Sequence, residues 1–283
     1  MYAVIGGSGF EKFDGFEVLE KLEVTTPFGV VASGLKRVKV SGKELLFLSR
    51  HGEHHELLPS EINYRANIFA LKKLGAKSLF SFSAVGSLSK ELAPGDLVVP
   101  HQYIDRTKGL RASSFLGQGL IGHVSLAHPI CQVMESRLKE LVQSETFDFK
   151  IHFSKTYVCI EGPYFSTKAE SMHYRQMGAD IIGMSHFPEY ALAREAGLPY
   201  LPCCFVTDYD CWDDAIPHVT VDEVIKVMKG NNAKAFHLFK QILLRSDFSQ
   251  GSTVPESGLR SGLFMDPKMI PADKKEWLQT LMS

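Results

Sequence analysis

Short apolar runs alternate with amphipathic stretches along nearly the whole chain. Tyr2–Ile5 is an apolar run that ends in the glycine-rich turn Gly6-Gly7-Ser8-Gly9, and it reads as a first strand. Val38-Lys39-Val40 and Leu45–Leu48 flank Ser41-Gly42-Lys43, the pattern of a hairpin. Pro59 and Ser60 are expected to open a helix. Its apolar residues Ile62, Ala66, Phe69 and Ala70 share one face, and Gly75 closes it. Leu79–Ala84, Leu97–Val99, Tyr157–Ile160, Ile181-Ile182 and Pro199–Val206 read as strands. Between them lie a helical stripe through Ile130, Val133, Met134, Leu138, Leu141 and Val142, a helix over Thr167–Met177 and another over Pro188–Ala196. Thr220-Val221-Asp222-Glu223 is a capping box that starts a long helix ending near Leu244. Asp247–Leu259 reads as a loop, with a short helix after Pro271.

Alternation of strand and helix predicts an α/β fold with a mixed, largely parallel central sheet flanked by helices. No linker or internal repeat divides the chain, so residues 1–283 are expected to form a single domain, with 245–283 a loop plus a short helix. Composition narrows function by exclusion. A formal net charge of -1 offers no electrostatic footprint for nucleic acid or an anionic membrane surface. The sequence has no uninterrupted apolar run of membrane-spanning length, and its start lacks the pattern of a signal peptide. The five cysteines lack metal or redox spacing and fit buried free thiols in a reducing cytoplasm.

The candidate chemistry gathers at strand ends, where α/β proteins place their sites. Thr207-Asp208-Tyr209-Asp210-Cys211-Trp212 follows the Pro199–Val206 strand. Two carboxylates one residue apart, beside an apolar strand and a tryptophan, need partners or a proton. On spacing alone they read first as solvated turn residues. Gly6–Phe10 can hold an anion on its backbone N–H groups or be a plain tight turn. It is neither a P-loop nor a dinucleotide fingerprint. Ser49-Arg50-His51-Gly52 offers an oxyanion clamp. His51, His54 and His55 lack the spacing of a zinc site, so no metal is expected. Ser83-Ala84-Val85-Gly86-Ser87, Glu161–Ser166 and Gly183-Met184-Ser185 end three further strands. Phe165 is either a ring-stacking group or a core aromatic. These five strand ends, beside the one that carries the aspartates, suggest one crevice for an anion, a polar middle and a flat ring. A nucleoside plus phosphate fits that description.

These segments, with Asn63–Asn67, Pro94-Gly95-Asp96, Ile104–Thr107 and Pro188-Glu189, resemble the methylthioadenosine phosphorylases of the trimeric purine nucleoside phosphorylase superfamily. The resemblance runs from Val4 to Val224, and Thr207–Trp212 is its most specific piece. It implies that Ser8, Arg50, His51, Ser83 and Ser185 bind phosphate, with His55 nearby. It implies that Ala84 and Met184 border the ribose with Gly86 also at the substrate, that Phe165 stacks near the base with Ser166 close by, and that Asp208 and Asp210 read the purine. Val221 and Val224 would wall the 5′ pocket, and His123 would reach that pocket in a neighbouring subunit of a homotrimer. Gly183 and Tyr164 stand where the animal form has Asn and Arg, and Ser8 and Ser83 where it has threonines.

The reaction so implied is phosphorolysis of 5′-methylthioadenosine to adenine and 5-methylthioribose 1-phosphate, a step of purine and methionine salvage. Inorganic phosphate is the co-substrate, and no metal or organic cofactor is needed. A protonated Asp208 suits adenine, accepting from N6 and donating to N7, whereas an amide would suit a 6-oxopurine. An apolar wall suits a thioether and leaves a 5′-hydroxyl unpaired. The alternatives are a purine nucleoside phosphorylase acting on 6-oxopurine nucleosides, methylthioinosine or adenosine, and a non-catalytic nucleotide-binding protein.

Overall fold

The computed structural model describes residues 1–10, 15–213, 221–245, 248 and 258–283. Among these, the strands are β1 (Tyr2–Gly6), β2 (Glu17–Lys21), β3 (Lys36–Val40), β4 (Lys43–Ser49), β5 (Ser78–Ser87), β6 (Leu97–Arg106), β7 (Ile151–Ile160), β8 (Ile181–Gly183) and β9 (Tyr200–Tyr209). The helices are α1 (Tyr64–Lys73), α2 (Gln132–Ser144), α3 (Lys168–Gln176), α4 (Glu189–Glu195), α5 (Val221–Arg245), α6 (Leu259–Gly262) and α7 (Ala272–Met282).

The strands form one sheet in the order β2-β3-β4-β1-β5-β8-β7-β6-β9, and β9 returns to pair with β5. Strands β5, β8, β7, β6 and β9 therefore close into a ring, and β1, β4, β3 and β2 extend it as an open wing. The pairings β1–β4, β1–β5, β5–β9, β6–β7 and β7–β8 are parallel, as alternation with helices requires. Those of β2–β3, β3–β4, β5–β8 and β6–β9 are antiparallel. Helix α1 packs on α4 and α7, α2 on α5, and α5 on β9. The fold is thus the expected mixed α/β arrangement of a sheet flanked by helices.

One edge of β5 changes partner. Residues Ser78–Phe82 pair with β1, whereas Gly86 and Ser87 pair with β8. Ser83, Ala84 and Val85 lie between the two ladders, and the turn after β1 approaches there, with Gly7 N–H donating to the Phe82 carbonyl at 2.9 Å.

Local chemistry explains the boundaries. The β3–β4 hairpin turns on Ser41 and Gly42, both at positive φ (49° and 79°), as a two-residue turn of matching twist requires. Helix α1 begins later than Pro59-Ser60 suggests. Asn63 is its cap, with its side-chain oxygen accepting from Ala66 N–H. It ends in a Schellman motif, with Ala76 N–H bonded to the Leu71 carbonyl, Gly75 N–H to Lys72, and Gly75 at φ 86°. Thr167 and Glu170 form a reciprocal capping box on α3. The Thr220–Glu223 box rests on Thr220 and the Glu223 side chain, which lie outside the described residues, as does nearly all of the Asp247–Leu259 loop. Strand β2 has no apolar pattern: all five of its residues are exposed on the sheet edge. Strands β6 and β7 run to ten residues each, past the short apolar cores visible in the sequence.

Candidate functional site

Strand β9 does not stop where its apolar run stops. After a bulge opposite Val85 and Gly86, the ladder resumes with Gly86 opposite Asp208 and Ser87 opposite Tyr209. Asp208 is therefore the penultimate residue of a strand rather than part of a following loop, and Asp210 is the first residue beyond it. Both are anchored. Asp210 N–H donates to the Ser87 carbonyl at 3.0 Å, and Trp212 Nε1 donates to the same carbonyl at 2.9 Å. The Arg175 guanidinium lies 3.7 Å over the Trp212 ring.

A cleft of about 1050 Å³ opens above these residues. From the residues singled out in the sequence, the structure brings Ser8, His51, Ala84, Gly86, Phe165, Met184, Ser185, Asp208, Asp210 and Val224 to its walls, together with His55, Ser166 and Gly183. Phe165 is 61 % exposed, so it is not a core aromatic. The rings of His51 and His55 stack at 4.7 Å, and His51 Nδ1 lies 2.9 Å from the Leu57 carbonyl. Among the described residues no group of three His, Cys, Asp or Glu could hold a metal ion.

Three expected residues stand elsewhere, and one is not described. Arg50 is fully buried and does not line the cleft. Its Nε and Nη2 bond Glu189 at 2.6 and 2.9 Å, Nη2 also bonds Ser81 Oγ at 2.6 Å, and Nη1 donates to the Phe82 carbonyl at 3.0 Å. A buried guanidinium must be neutralised, and Glu189 does so. Burial opposes the Arg50 charge, but Glu189 outweighs burial and holds the pKa above its ordinary value. Glu189 is opposed by burial in the same way, and Arg50 keeps it below the usual carboxylate range. Arg50 thus underlies the site: its Nη1 occupies the space a side chain on Gly7 would fill. Ser83 is 2 % exposed, with its hydroxyl beside the Cys204 thiol, and it too sits behind the wall. His123 is exposed and outside this cleft, held through its N–H to the Gly262 carbonyl. The side chain of Val221 lies outside the described residues.

Of one wall the sequence reading named only Val221 and Val224, and the structure extends it. Val224, Met228, Asn232 and Phe236 of α5 all line the cleft, at four-residue steps along one helix face. Extending the Val224 face by that step would have found them. Asn232 Nδ2 bonds the Gly9 carbonyl, so α5 also grips the glycine-rich turn. Arg111, buried with Glu161, was missed as well. Its Nε bonds Glu161 at 2.8 Å, and its Nη1 donates to the Met184 and Phe187 carbonyls at 2.6 and 2.7 Å, fixing the segment that carries Met184 and Ser185.

Burial raises both acids. Burial, assisted by the neighbouring Asp210 charge and opposed by the Thr207 hydroxyl, pushes the Asp208 carboxyl up to about 6. Asp210 is also raised, chiefly by burial. A carboxyl poised near 6 in a partly dry cleft can hold a proton and deliver it to a weakly basic ring nitrogen. His186, next to Ser185, is held neutral by burial and by Arg50, with its pKa lowered to about 3. It stacks on Tyr157 at 4.6 Å.

Residues 1–244 match the family model of the phosphorylase superfamily. The chain is 40 % identical over 279 residues to an S-methyl-5'-thioadenosine phosphorylase of Geobacter sulfurreducens, covering 99 % of this chain and 96 % of that one. It is 46 % identical over 251 residues to the enzyme of that name from Tuber melanosporum, covering 85 % and 80 %. Among solved structures, a methylthioadenosine phosphorylase sourced from an antarctic soil metagenomic library superposes with a TM-score of 0.91 at 40 % identity, covering 99 % of this chain and 98 % of that one. A methylthioadenosine phosphorylase from Schistosoma mansoni in complex with adenine superposes with a TM-score of 0.83 at 33 % identity, covering 92 % and 98 %.

Proposed function

The chain belongs to the phosphorylase superfamily, and from that premise we propose that it phosphorolyses 5′-methylthioadenosine to adenine and 5-methylthioribose 1-phosphate. The observation that carries this reading is the composition of one cleft. Asp208, with its pKa raised to about 6, shares the cleft with Phe165, Ser8, Ser185 and the apolar Val224 and Met228 of α5. Phosphate lies against Ser8, Ser185 and His51, with Arg50 supporting the Gly6–Ser8 turn from beneath. The ribose lies between Ala84, Gly86 and Met184, and the base between Phe165 and the two aspartates.

Breaking the N-glycosidic bond builds positive charge on the sugar and negative charge on the purine, and a catalyst gains rate by stabilising both as they appear. Phosphate supplies the anion and the new bond at C1′. Asp208 supplies the proton at N7 and accepts from the adenine amino group. Val224 and Met228 face the 5′ substituent, and an apolar surface there favours a methylthio group over a hydroxyl. No metal or organic cofactor enters the scheme. The enzyme works in the cytoplasm in purine and methionine salvage, as a homotrimer in which His123 serves a neighbouring subunit's cleft. The exposed position of His123, away from its own cleft, is compatible with that role.

The test is phosphate-dependent adenine release from methylthioadenosine, run beside methylthioinosine, adenosine and inosine. Preference for inosine or adenosine would favour a general purine nucleoside phosphorylase. No release from any of the four would favour a binding protein.

A further inference from the structure

Thr207, which the scheme above leaves without a role, carries one proton between two acceptors. Its Oγ1 lies 2.6 Å from Asp208 Oδ2 and 3.2 Å from the Val85 carbonyl oxygen. Thr207 is 5 % exposed and lines the cleft. A hydroxyl donates once, so it serves one of these oxygens at a time. We propose that Thr207 is a positioning residue whose hydroxyl turns from the Val85 carbonyl to Asp208 as Asp208 loses its proton, stabilising the carboxylate that proton transfer leaves behind. The inference rests on the reading of Asp208 as proton donor.

The balance is simple. The Asp208 O–H bond breaks and an N–H bond forms at purine N7. The glycosidic electron pair goes to the purine, and a phosphate oxygen bonds C1′. The Thr207 proton stays on Thr207 throughout. A bond from a hydroxyl to a carboxylate is roughly twice as strong as one to a neutral acceptor. The Thr207–Asp208 contact is therefore stronger after transfer than before, and only interactions that strengthen toward the transition state raise the rate. The Val85 carbonyl gives the hydroxyl a partner before transfer, so its rotor stays ordered.

The surroundings leave this hydroxyl a specific task. On its own chain segment Asp208 faces the like charge of Asp210. Strand β5 brings the uncharged Val85 and Gly86, with Asp208 Oδ1 over Gly86, and β8 brings Ile182 and Gly183. Around the same cleft, α5 brings Lys229, and the segment after β4 brings His51, His55 and Glu56.

The experiment compares Thr207→Val, Thr207→Ser and Asp208→Asn with the wild type in pH profiles of kcat on methylthioadenosine. Valine keeps the shape and removes the donor. The expected result for Thr207→Val is a kcat lower by about tenfold, with the basic limb moved up by about one pH unit, because loss of a donor to the ionised form raises an acid's pKa. KM for phosphate stays unchanged, and Thr207→Ser restores both rate and profile. If Thr207→Val fails to fold, Thr207→Ala gives the same comparison. Superimposable profiles for the wild type and the hydroxyl-less variant, with Asp208→Asn strongly impaired, would overturn the role of Thr207 alone. Near wild-type kcat in Asp208→Asn would overturn the proton-donor reading, and this inference with it.

Discussion

The phenolic oxygen of Tyr157 occupies the space that a β-carbon on residue 183 would fill, and the ring Cζ follows at 2.7 Å from that point. Tyr157 is fully buried, and among the described residues its hydroxyl makes no hydrogen bond of normal geometry, although the Ser185 backbone interacts with it. The tyrosine therefore dictates glycine at a position that lines the cleft.

Gly183→Ala is expected to destabilise the protein by about 1–3 kcal/mol, the usual cost of overpacking. Tyr157→Phe alone should be close to neutral, and the double variant should recover part of the loss because the oxygen is gone. Thermal denaturation of the four proteins as a double-mutant cycle measures the coupling. Strictly additive effects would mean that the two residues do not compete for the same space.

Arg50→Ala is expected to act on the fold before it acts on phosphate. It strands Glu189, which is 1 % exposed, as an uncompensated buried charge, at a cost of about 3–5 kcal/mol. Arg50→Met combined with Glu189→Gln removes both charges and keeps acceptors for Ser81 and Tyr200, which bond Glu189 at 2.5 and 3.0 Å. This pair should regain most of the stability while the KM for phosphate stays raised. Recovery of both properties together would reduce Arg50 to a purely structural residue.

Val224→Ser should lower the preference for methylthioadenosine over adenosine by about tenfold, since the change removes apolar surface and offers a partner to a 5′-hydroxyl. The ratio of kcat/KM values for the two nucleosides reads this directly. An unmoved ratio would place the 5′ group away from α5.

Asp208→Asn should slow methylthioadenosine turnover by roughly 10²–10⁴ and yet stabilise the protein at neutral pH. The folded-state pKa of about 6 lies above the unfolded carboxylate value. The acid's contribution to stability is then complete below about pH 4 and is lost as pH rises through 6. An amide does not titrate, so the variant should gain on the order of 2–3 kcal/mol over wild type at pH 8, relative to any difference at pH 4. Denaturant midpoints measured across that range test it. A difference independent of pH would show that Asp208 ionises normally.

Strand order along the chain was legible because buried strands leave apolar runs, and so were the glycine turns, the close of α1 at Gly75 and the start of α3 at Thr167. The edge strand β2 was not, because a strand with every side chain in solvent has no hydrophobic period to read. The end of β9 was misplaced for the converse reason: hydrogen-bond pairing to β5 continues through Asp208 after the apolar residues stop. For the cleft, residue type located Ser8, Phe165, Met184, Ser185 and the aspartates, which stand on or beside strand ends. The burial of Arg50 was not legible, because nothing local to Ser49-Arg50-His51-Gly52 reveals that Glu189, 139 residues away, takes two of its nitrogens. The pairing of Tyr157 with Gly183 is hidden likewise, since the two meet only through the β7–β8 register.

The change of partner along β5 has a consequence for how this cleft can evolve. Among the described residues no strand pairs with that edge between Phe82 and Gly86, and Ala84 lines the cleft within the interval. Whatever a ligand takes from the peptide groups there, it takes from atoms common to almost every amino acid. Drift in side chains can reshape the walls formed by α5 or by residues 51–59, yet it cannot delete a peptide N–H. Proline alone removes one. This part of recognition is therefore inherited with the topology, and selection for a different nucleoside must act on the opposite walls.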